Sequence, residues 1–408
     1  MPPPRRLGIV HCHAKVWPLC ITETAKGAAA ARFRCITEWD GGNKLHTQGG
    51  NAGLGIRETR GNLTMKKALI ASTALVLTAG AAAADVTISG YGRTGVIYYE
   101  DAVQTGLDAF GDEGNDTQVI SRLRMNIDAA TSTEQGVDFG ARFRLQWDQN
   151  GDTGGEINAG KLYVTSSGLT VEIGNVEGAL DSAGLIFATE LGSYDRSVGG
   201  NALGAFFAYE SEAYSNDERL GIFASYAVDD LEVRFSYIDP DQTGLVEDVD
   251  LFGDVKEEYS FSVDYTWNER LELSAGAAIN GAGNDDHDVY FVGARYAVME
   301  NARIGLNWVD NGDAGDYEGQ SSSDPDFDPE NDDLGSTVAL YGDYTLADGL
   351  TNIEAYIANN SGDWEAKETD NSFGIGVNYD LGGARLGASL QRDYQERVTA
   401  DMGVRFDF

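Results

Sequence analysis

Residues 137–148 read VDFGARFRLQWD, and every second residue in this stretch is apolar. Phe143 and Trp147 belong to the apolar set, whereas Arg142 and Arg144 stand between its members. Successive side chains of a β-strand point to opposite faces, so this period of two predicts a strand with one apolar and one charged face. Because unpaired charges are costly to bury in a packed core, we expect the charged face to contact water.

The same alternation recurs from residue 86 to the carboxyl terminus. Short connections such as 166–168 take turns with long ones such as 175–218, which is typical of an up-and-down meander of hairpins. Sixteen alternating segments begin near Val86, Val119, Val137, Ile157, Leu169, Arg219, Leu231, Tyr259, Leu271, Asp288, Ala302, Thr337, Thr351, Asn371, Ala384 and Val398. An even number of strands of this size predicts closure into a barrel.

Charge on the polar faces decides which side of such a barrel faces outward. Arginine, carboxylate and asparagine side chains occur on the polar face of nearly every segment. A sixteen-stranded barrel has room for an aqueous lumen, and an apolar outer belt is stable only in lipid. We therefore predict an all-β fold, a 16-stranded antiparallel transmembrane β-barrel with short periplasmic turns and long external loops.

A secretory signal is predicted at residues 65–84. Lys66 and Lys67 precede an apolar stretch at 68–78, and small residues at 82–84 suit a cleavage site. Residues 1–64 are then expected to be an unstructured upstream extension, and residues 85–408 the barrel. The alternative is an amino-terminal domain with Cys12, His13 and Cys20 as metal ligands, although their spacing fits no zinc pattern.

Composition of residues 85–408 excludes several function classes. This part of the chain has no cysteine, and its 18 Lys and Arg face 62 Asp and Glu, a formal charge of −44. Disulfide chemistry is therefore excluded, and no basic excess is present to bind nucleic acid. His287 is the one histidine of this part, and no nucleophile motif accompanies it. We expect a solvated loop histidine and no enzyme activity.

The chain ends in DMGVRFDF, residues 401–408, with apolar residues again in alternate positions. In a closed barrel the last strand must pair with the first, because an unpaired backbone group in hydrocarbon costs several kcal/mol. This predicts that Phe408 lies on the lipid face at the short-turn end. The alternative is an ordinary edge strand that ends in phenylalanine.

With these features the sequence resembles the general porins of the bacterial outer membrane, in particular the alphaproteobacterial (Rhodobacter-type) porin family. The resemblance rests on VTISGYGRTGVIYY at 86–99, SRLRMNIDAATSTEQGVDFGARFRLQ at 121–146, GNVEGALDSA at 174–183 and the terminal ADMGVRFDF. It implies a homotrimer that admits ions and small hydrophilic solutes passively, with a third loop folded into each barrel. It also implies that Phe408 is an assembly signal read by the barrel-insertion machinery. Outer-membrane lipid and lipopolysaccharide are the expected surroundings.

Basic residues are concentrated on the polar faces of strands that a closed barrel would bring together. We predict that they form one basic wall at the pore constriction: Arg93, Arg122, Arg124, Arg142, Arg144, Lys161 and Arg405. The long third loop supplies candidate acidic partners at Glu177, Asp181, Glu190 and Asp195. Folded inward, they would create a transverse field across the constriction. Alternatively, the basic residues are solvated lumen residues away from the narrowest point.

The apolar parts of the third loop, AGLIFATELG and GAFFAY, either pack on the inner wall or contact a neighbouring subunit, and we favour inner packing. No cofactor is expected to be required. Acidic loops are candidate calcium sites, with Asp310, Asp313, Asp316, Asp324, Asp326 and Asp328 as possible ligands. Solvated outer loops are the alternative. Two other functions stay open: a substrate-specific sugar or anion channel, and a secreted acidic calcium-binding β-protein.

Overall fold

The structure is a computed structural model that describes residues 85–100, 116–148, 155–192, 219–242, 256–285, 287–312, 334–364 and 367–408, together with three short strands nearer the amino terminus. The chain divides into two compact units, Met1–Thr73 and Ala74–Phe408. The first unit contains the three short strands, which form an antiparallel sheet: Cys20–Glu23, Arg32–Cys35 and Gln48–Gly49. The boundaries at residues 64 and 84 stay predictions.

The second unit is a closed antiparallel barrel, as the alternation predicts. Its strands are β1 Asp85–Tyr99, β2 Thr117–Ser132, β3 Asp138–Asp148, β4 Glu156–Ile157 with Lys161–Ser166, β5 Leu169–Gly174, β6 Leu220–Val228, β7 Leu231–Asp239, β8 Glu258–Trp267, β9 Leu271–Ile279, β10 Val289–Met299, β11 Ala302–Asp310, β12 Ser336–Thr345, β13 Thr351–Asn360, β14 Asn371–Asp380, β15 Arg385–Arg392 and β16 Val398–Asp407. β4 is counted as one strand because both of its pieces pair with β3. Each strand begins within two residues of its predicted start.

Helical structure is minor in the described ranges, where a single 3-10 turn occupies Gly281–Gly283. None of the helical segments there combines the length and the hydrophobicity that a membrane-spanning helix needs.

Side-chain exposure follows the two faces of the strands. In β14, Phe373 and Ile375 are about half exposed on the outside, while the residues between them, Gly374 and Gly376, face inward and are buried. The outer surface is covered by large apolar side chains of this kind, and the inner surface carries the charged ones. The predicted orientation, apolar outside and polar inside, is confirmed.

The barrel closes between its last and first strands. β16 pairs with β1 from Thr399, opposite Tyr99, to Asp407, opposite Tyr91. Beyond the strand, the Phe408 N–H donates to the Gly90 carbonyl at 2.9 Å and the Gly90 N–H donates to the Phe408 carbonyl at 2.8 Å. The Phe408 ring is exposed on the outer face. The predicted pairing is confirmed, whereas the assembly role of Phe408 stays a prediction.

A charge placed on the outer face should destabilise the barrel strongly. Val292 is exposed on β10 between two outward tyrosines, Tyr290 and Tyr296, which places it near the middle of the apolar belt. We expect Val292→Arg to lower the free energy of unfolding by about 2–4 kcal/mol, because the guanidinium would lie in hydrocarbon. Urea unfolding in lipid vesicles measures the change. Val292→Leu is the control, and equal stability of the two variants would contradict a lipid-facing position.

Candidate functional site

The third loop, residues 175–219 between β5 and β6, lies against the inner wall of the barrel over its described part, 175–192. Val176, Leu180 and Ile186 are fully buried although they belong to no strand. Arg219 closes the base of the loop: Nη1 donates to Asn175 Oδ1 at 3.0 Å and Nη2 donates to the Val176 carbonyl at 2.8 Å. The two ends of the connection therefore meet at one point of the wall, and its described part, 175–192, lies inside the lumen.

Polar groups of the inner wall hold the main chain of this loop. The Ala179 N–H donates to the hydroxyls of Ser236 on β7 and Ser260 on β8, each at 2.8 Å. Further along, Asn307 Nδ2 on β11 donates to the Leu185 carbonyl at 2.6 Å. Short polar side chains thus provide hydrogen-bond partners for backbone groups that would otherwise be buried without them.

Glycines of the inner wall make room for the apolar side chains of the loop. A Cβ at Gly276 would lie 2.7 Å from Leu180 Cδ1, and a Cβ at Gly374 would lie 2.7 Å from Leu191 Cδ1. Leu185 and Ile186 of the loop are also buried, in an apolar cluster that contains both wall and loop residues. Inner packing of AGLIFATELG is therefore confirmed, and GAFFAY, at 204–209, lies outside the described residues.

Four arginines occupy directly paired positions on four neighbouring strands. Arg385 on β15 pairs with Arg405 on β16, Arg405 with Arg93 on β1, and Arg93 with Arg122 on β2. Strands lie about 4.8 Å apart, so this arginine row spans about 14 Å of the lumen wall. Arg385 is absent from the predicted set. It is the first residue of its strand, and only the register of the β15–β16 hairpin aligns it with the others.

The predicted basic residues, inside and outside the arginine row, lie on the same side of the barrel and are interleaved with acceptors. Arg122 Nε lies 2.5 Å from Asp148 Oδ1. The remaining contacts join Arg142 Nε to Asp128 Oδ1 at 2.8 Å, Arg144 Nε to Asn126 Oδ1 at 3.0 Å, Arg124 Nε to Gln146 Oε1 at 2.6 Å, Lys161 Nζ to Glu172 Oε2 at 2.8 Å and Arg405 Nη2 to Asp407 Oδ1 at 3.2 Å. Carboxylates of the strands, which the sequence reasoning did not single out, therefore offset part of the mutual repulsion of these cations.

Tyr91 is a second residue that the sequence reasoning missed. Its ring centroid lies 4.3 Å from the guanidinium carbon of Arg405, 5.5 Å from that of Arg124 and 6.0 Å from that of Arg93. An aromatic face attracts cations at such distances. Tyr91 therefore helps to hold three guanidinium groups together at the wall. Its place on the polar face of β1, two residues before Arg93, is the available sequence signal.

The predicted acidic residues of the third loop are described in three of four positions. Glu177, Asp181 and Glu190 are half-buried on the loop, and Asp195 lies outside the described residues. Ser182 Oγ donates to Glu177 Oε2 at 3.2 Å. The loop's contacts run from β7 and β8 at Ala179 to β13 at Gly192, where the main chain also approaches Asp401 on β16. The arginine row lies on β15, β16, β1 and β2. A transverse field between them stays a prediction.

The expectation of a solvated His287 is wrong. His287 is fully buried. The connection from β9 to β10 is short and folds back on itself: the Gly281 N–H donates to the His287 carbonyl at 2.6 Å, and the Ala282 N–H donates to Glu258 Oε2 at 2.9 Å. His287 is therefore buried although acidic residues flank it in the sequence.

The candidate calcium ligands are mostly outside the described residues. Asp313, Asp316, Asp324, Asp326 and Asp328 fall there, and Asp310 Oδ1 accepts the Gly312 N–H at 3.3 Å. Within the ranges that the structure describes, no group of three or more His, Cys, Asp or Glu side chains is placed to hold a metal ion. Calcium binding stays a prediction.

Comparison with known proteins identifies the family. Residues 71–399 match the family model described as Gram-negative porin. The porin of Fuscovulum blasticum is 36% identical over 329 residues, which are 79% of this chain and 100% of that protein. A solved structure of a triple mutant of Rh. blastica porin is 34% identical, with a TM-score of 0.64 over 79% of this chain and 100% of that chain. A further one, described as "Asymmetric conductivity of engineered proteins", is 35% identical with the same TM-score and coverage. The chain therefore belongs to the Gram-negative porin family.

Proposed function

We propose that ions and small hydrophilic solutes cross this porin through the space left between the third loop and the arginine row. As a member of the Gram-negative porin family with a closed barrel that is apolar outside, the protein is an outer-membrane porin. The proposal depends on one observation: the third loop is packed against the inner wall by hydrogen bonds and apolar contacts. A loop inside the barrel reduces the open cross-section at that level.

Selection at this place would follow from charge as well as size. A polar solute can exchange part of its hydration for hydrogen bonds with guanidinium and carboxylate groups, whereas an apolar solute would displace ordered water without compensation. Fixed charges act over about 8–10 Å at physiological ionic strength. The arginine row and the carboxylates of the third loop should therefore decide ion preference more than the large negative charge of the whole chain does.

The proposal includes a homotrimer. β5 and the longer piece of β4 have six residues each. A strand needs about 9–11 residues to cross a bilayer. These short strands favour contact of β4 and β5 with a second copy of the chain rather than with lipid, because exposed backbone groups are costly in hydrocarbon. Outer-membrane lipid and lipopolysaccharide would surround the rest of the trimer, and the barrel-insertion machinery would recognise Phe408 during assembly.

The family indicates a channel rather than an enzyme, and we propose that the chain has no catalytic activity.

Planar-bilayer conductance of the detergent-purified protein tests the proposal. We expect large, ohmic and weakly selective conductance steps, because the lumen is lined by charged groups of both signs. Block of these steps by one particular sugar or anion would indicate a substrate-specific channel instead. Protein that stays folded and monodisperse in buffer without detergent, and that forms no channels, would contradict the proposed function.

A further inference from the structure

Tyr91 occupies the centre of an arginine-rich part of the inner wall. Across the β1–β2 pairing it lies opposite Arg124. Two residues further along β1, Arg93 pairs with Arg122 on β2 and with Arg405 on β16. Side chains at directly opposed and diagonal positions on one face of a sheet are close enough for aromatic and long side chains to touch. The register therefore places four arginine side chains around one tyrosine ring.

Both parts of the Tyr91 side chain contact these arginines. The ring centroid lies 4.3 Å from the guanidinium carbon of Arg405, and the guanidinium carbons of Arg124 and Arg93 follow at 5.5 Å and 6.0 Å. The Tyr91 hydroxyl oxygen accepts a hydrogen bond from Arg122. An aromatic face attracts cations although it carries no net charge. One neutral side chain thus contacts four cations.

The carboxylates that pair with these arginines lie on opposite sides of β1. Asp148 on β3 lies 2.5 Å from Arg122, whereas Asp407 on β16 lies 3.2 Å from Arg405. Each carboxylate attracts its own arginine, and the like charges of the arginines repel one another. Without the ring of Tyr91 between them, we expect the arginine side chains to move toward these separate carboxylates. The four guanidinium groups would then no longer form one cluster.

The position of these charges matters for a passing ion as well as their number. The Coulomb energy between two charges falls by half when their distance doubles, for example from about 4 to about 8 Å. Salt screens exposed charges further beyond about 8–10 Å. Four arginines gathered at one place therefore act more strongly on an ion there than the same four arginines spread along the wall.

We propose that Tyr91 is a positioning residue that gathers four arginine side chains into one cluster on the pore wall and thereby favours the passage of anions over cations. The inference rests on the proposed function, because it concerns the ions that cross the pore. Its structural part, the contact between Tyr91 and the guanidinium groups, can be measured without any ion flux.

Reversal potentials in a salt gradient test the effect on ion passage. Tyr91→Leu keeps every charge of the chain and removes the ring. We expect the cation-to-anion permeability ratio to rise about twofold in this variant, because the arginine charges move away from the path of the ions. Tyr91→Phe keeps the aromatic face and loses only the hydroxyl. Its permeability ratio should lie closer to the native value than to the value of Tyr91→Leu.

Tyr163→Leu is the matched control. Tyr163 is also a tyrosine of the inner wall, on the longer piece of β4, and its ring covers Gly140 of β3, where a Cβ would clash with it. The substitution makes the same change of side-chain size in the lumen but leaves Tyr91 and its arginine contacts in place. We expect this control to keep the native permeability ratio.

Nuclear magnetic resonance of the arginine side chains gives the measurement without ion flux. An aromatic ring shifts the resonances of protons above its face upfield. In detergent-solubilised protein with isotope-labelled arginine, we expect an upfield-shifted Nε–H resonance that is lost in Tyr91→Leu and retained in Tyr91→Phe. Arg405→Lys should remove the same resonance, because Arg405 lies nearest to the ring of Tyr91 among the arginines around it.

Equal permeability ratios for Tyr91→Leu and Tyr163→Leu would overturn the proposal. A ratio for Tyr91→Phe as high as that of Tyr91→Leu would also overturn it, because the ring would then not be the decisive group, and so would an arginine spectrum that Tyr91→Leu leaves unchanged. Absence of channels from the native protein would refute the proposed function, and the arginine spectrum would still decide whether Tyr91 holds the cluster. Heat-induced unfolding on gels confirms that each variant contains a folded barrel.

Discussion

Deleting residues 403–408 is expected to prevent formation of the barrel in membranes. The deletion removes the pairing partners of β1 from Gly90 to Gly95 and both hydrogen bonds between Gly90 and Phe408. Each backbone group left unpaired in hydrocarbon costs several kcal/mol. Since a folded protein is stable by only about 5–15 kcal/mol, the loss exceeds what the remaining strands can offset.

Refolding from urea into lipid vesicles tests this expectation without the insertion machinery. The fraction of heat-modifiable barrel on gels is the measure, and we expect almost none for the deletion variant. Phe408→Ala is the control because it keeps every backbone pair of β16 and removes only the exposed ring. It should refold in vesicles nearly as well as the native chain. A deletion variant that yields the same fraction of barrel would show that closure does not depend on this pairing.

The Phe408→Ala variant also distinguishes closure of the barrel from recognition of Phe408 by the insertion machinery. If Phe408 is also an assembly signal, Phe408→Ala should refold in vesicles but reach the outer membrane of cells poorly. Normal amounts in the outer membrane would refute the proposed signal and leave the physical role of the last strand untouched.

The strands and their orientation could be predicted because the alternation of apolar and charged residues is visible within each single strand. In β3, Phe143 and Arg144 belong to opposite faces, and no knowledge of neighbouring strands is needed to decide which face is wet. The small residues of the inner wall were less informative. Gly276 and Gly374 fit the alternation as ordinary polar-face positions, and only the seated loop shows that their missing side chains are needed.

The pairings across strands could not be predicted, because they depend on register. Asp148 and Arg122 are 26 positions apart in sequence and meet only through the β2–β3 alignment. Arg385 joins the arginine row for the same reason. The burial of His287 depends on the fold of a short connection, which acidic neighbours in the sequence suggested would be open to water.

Replacing Arg122 and Arg124 with glutamine is expected to shift ion selectivity toward cations. Arg122 lies in the arginine row and Arg124 lies against Tyr91. Their neutralisation also leaves Asp148 without its partner at 2.5 Å, which adds negative potential at the same place. A unit charge about 4 Å from a passing ion contributes about 1 kcal/mol even in bulk water. We therefore expect the cation-to-anion permeability ratio to rise by at least about fivefold, the factor that corresponds to about 1 kcal/mol.

Reversal potentials in a salt gradient measure the shift, and a second pair of arginines tests whether its location matters. Arg295 and Arg303 lie on β10 and β11, where they pair with Glu272 and Asp343. Replacing both with glutamine removes the same charge from the lumen, away from the arginine row. If that row lines the narrowest point, this control should shift the reversal potential much less, because fixed charges are screened beyond about 8–10 Å. Equal shifts in the two variants, or no shift in Arg122→Gln with Arg124→Gln, would mean that the arginines are solvated lumen residues away from the constriction.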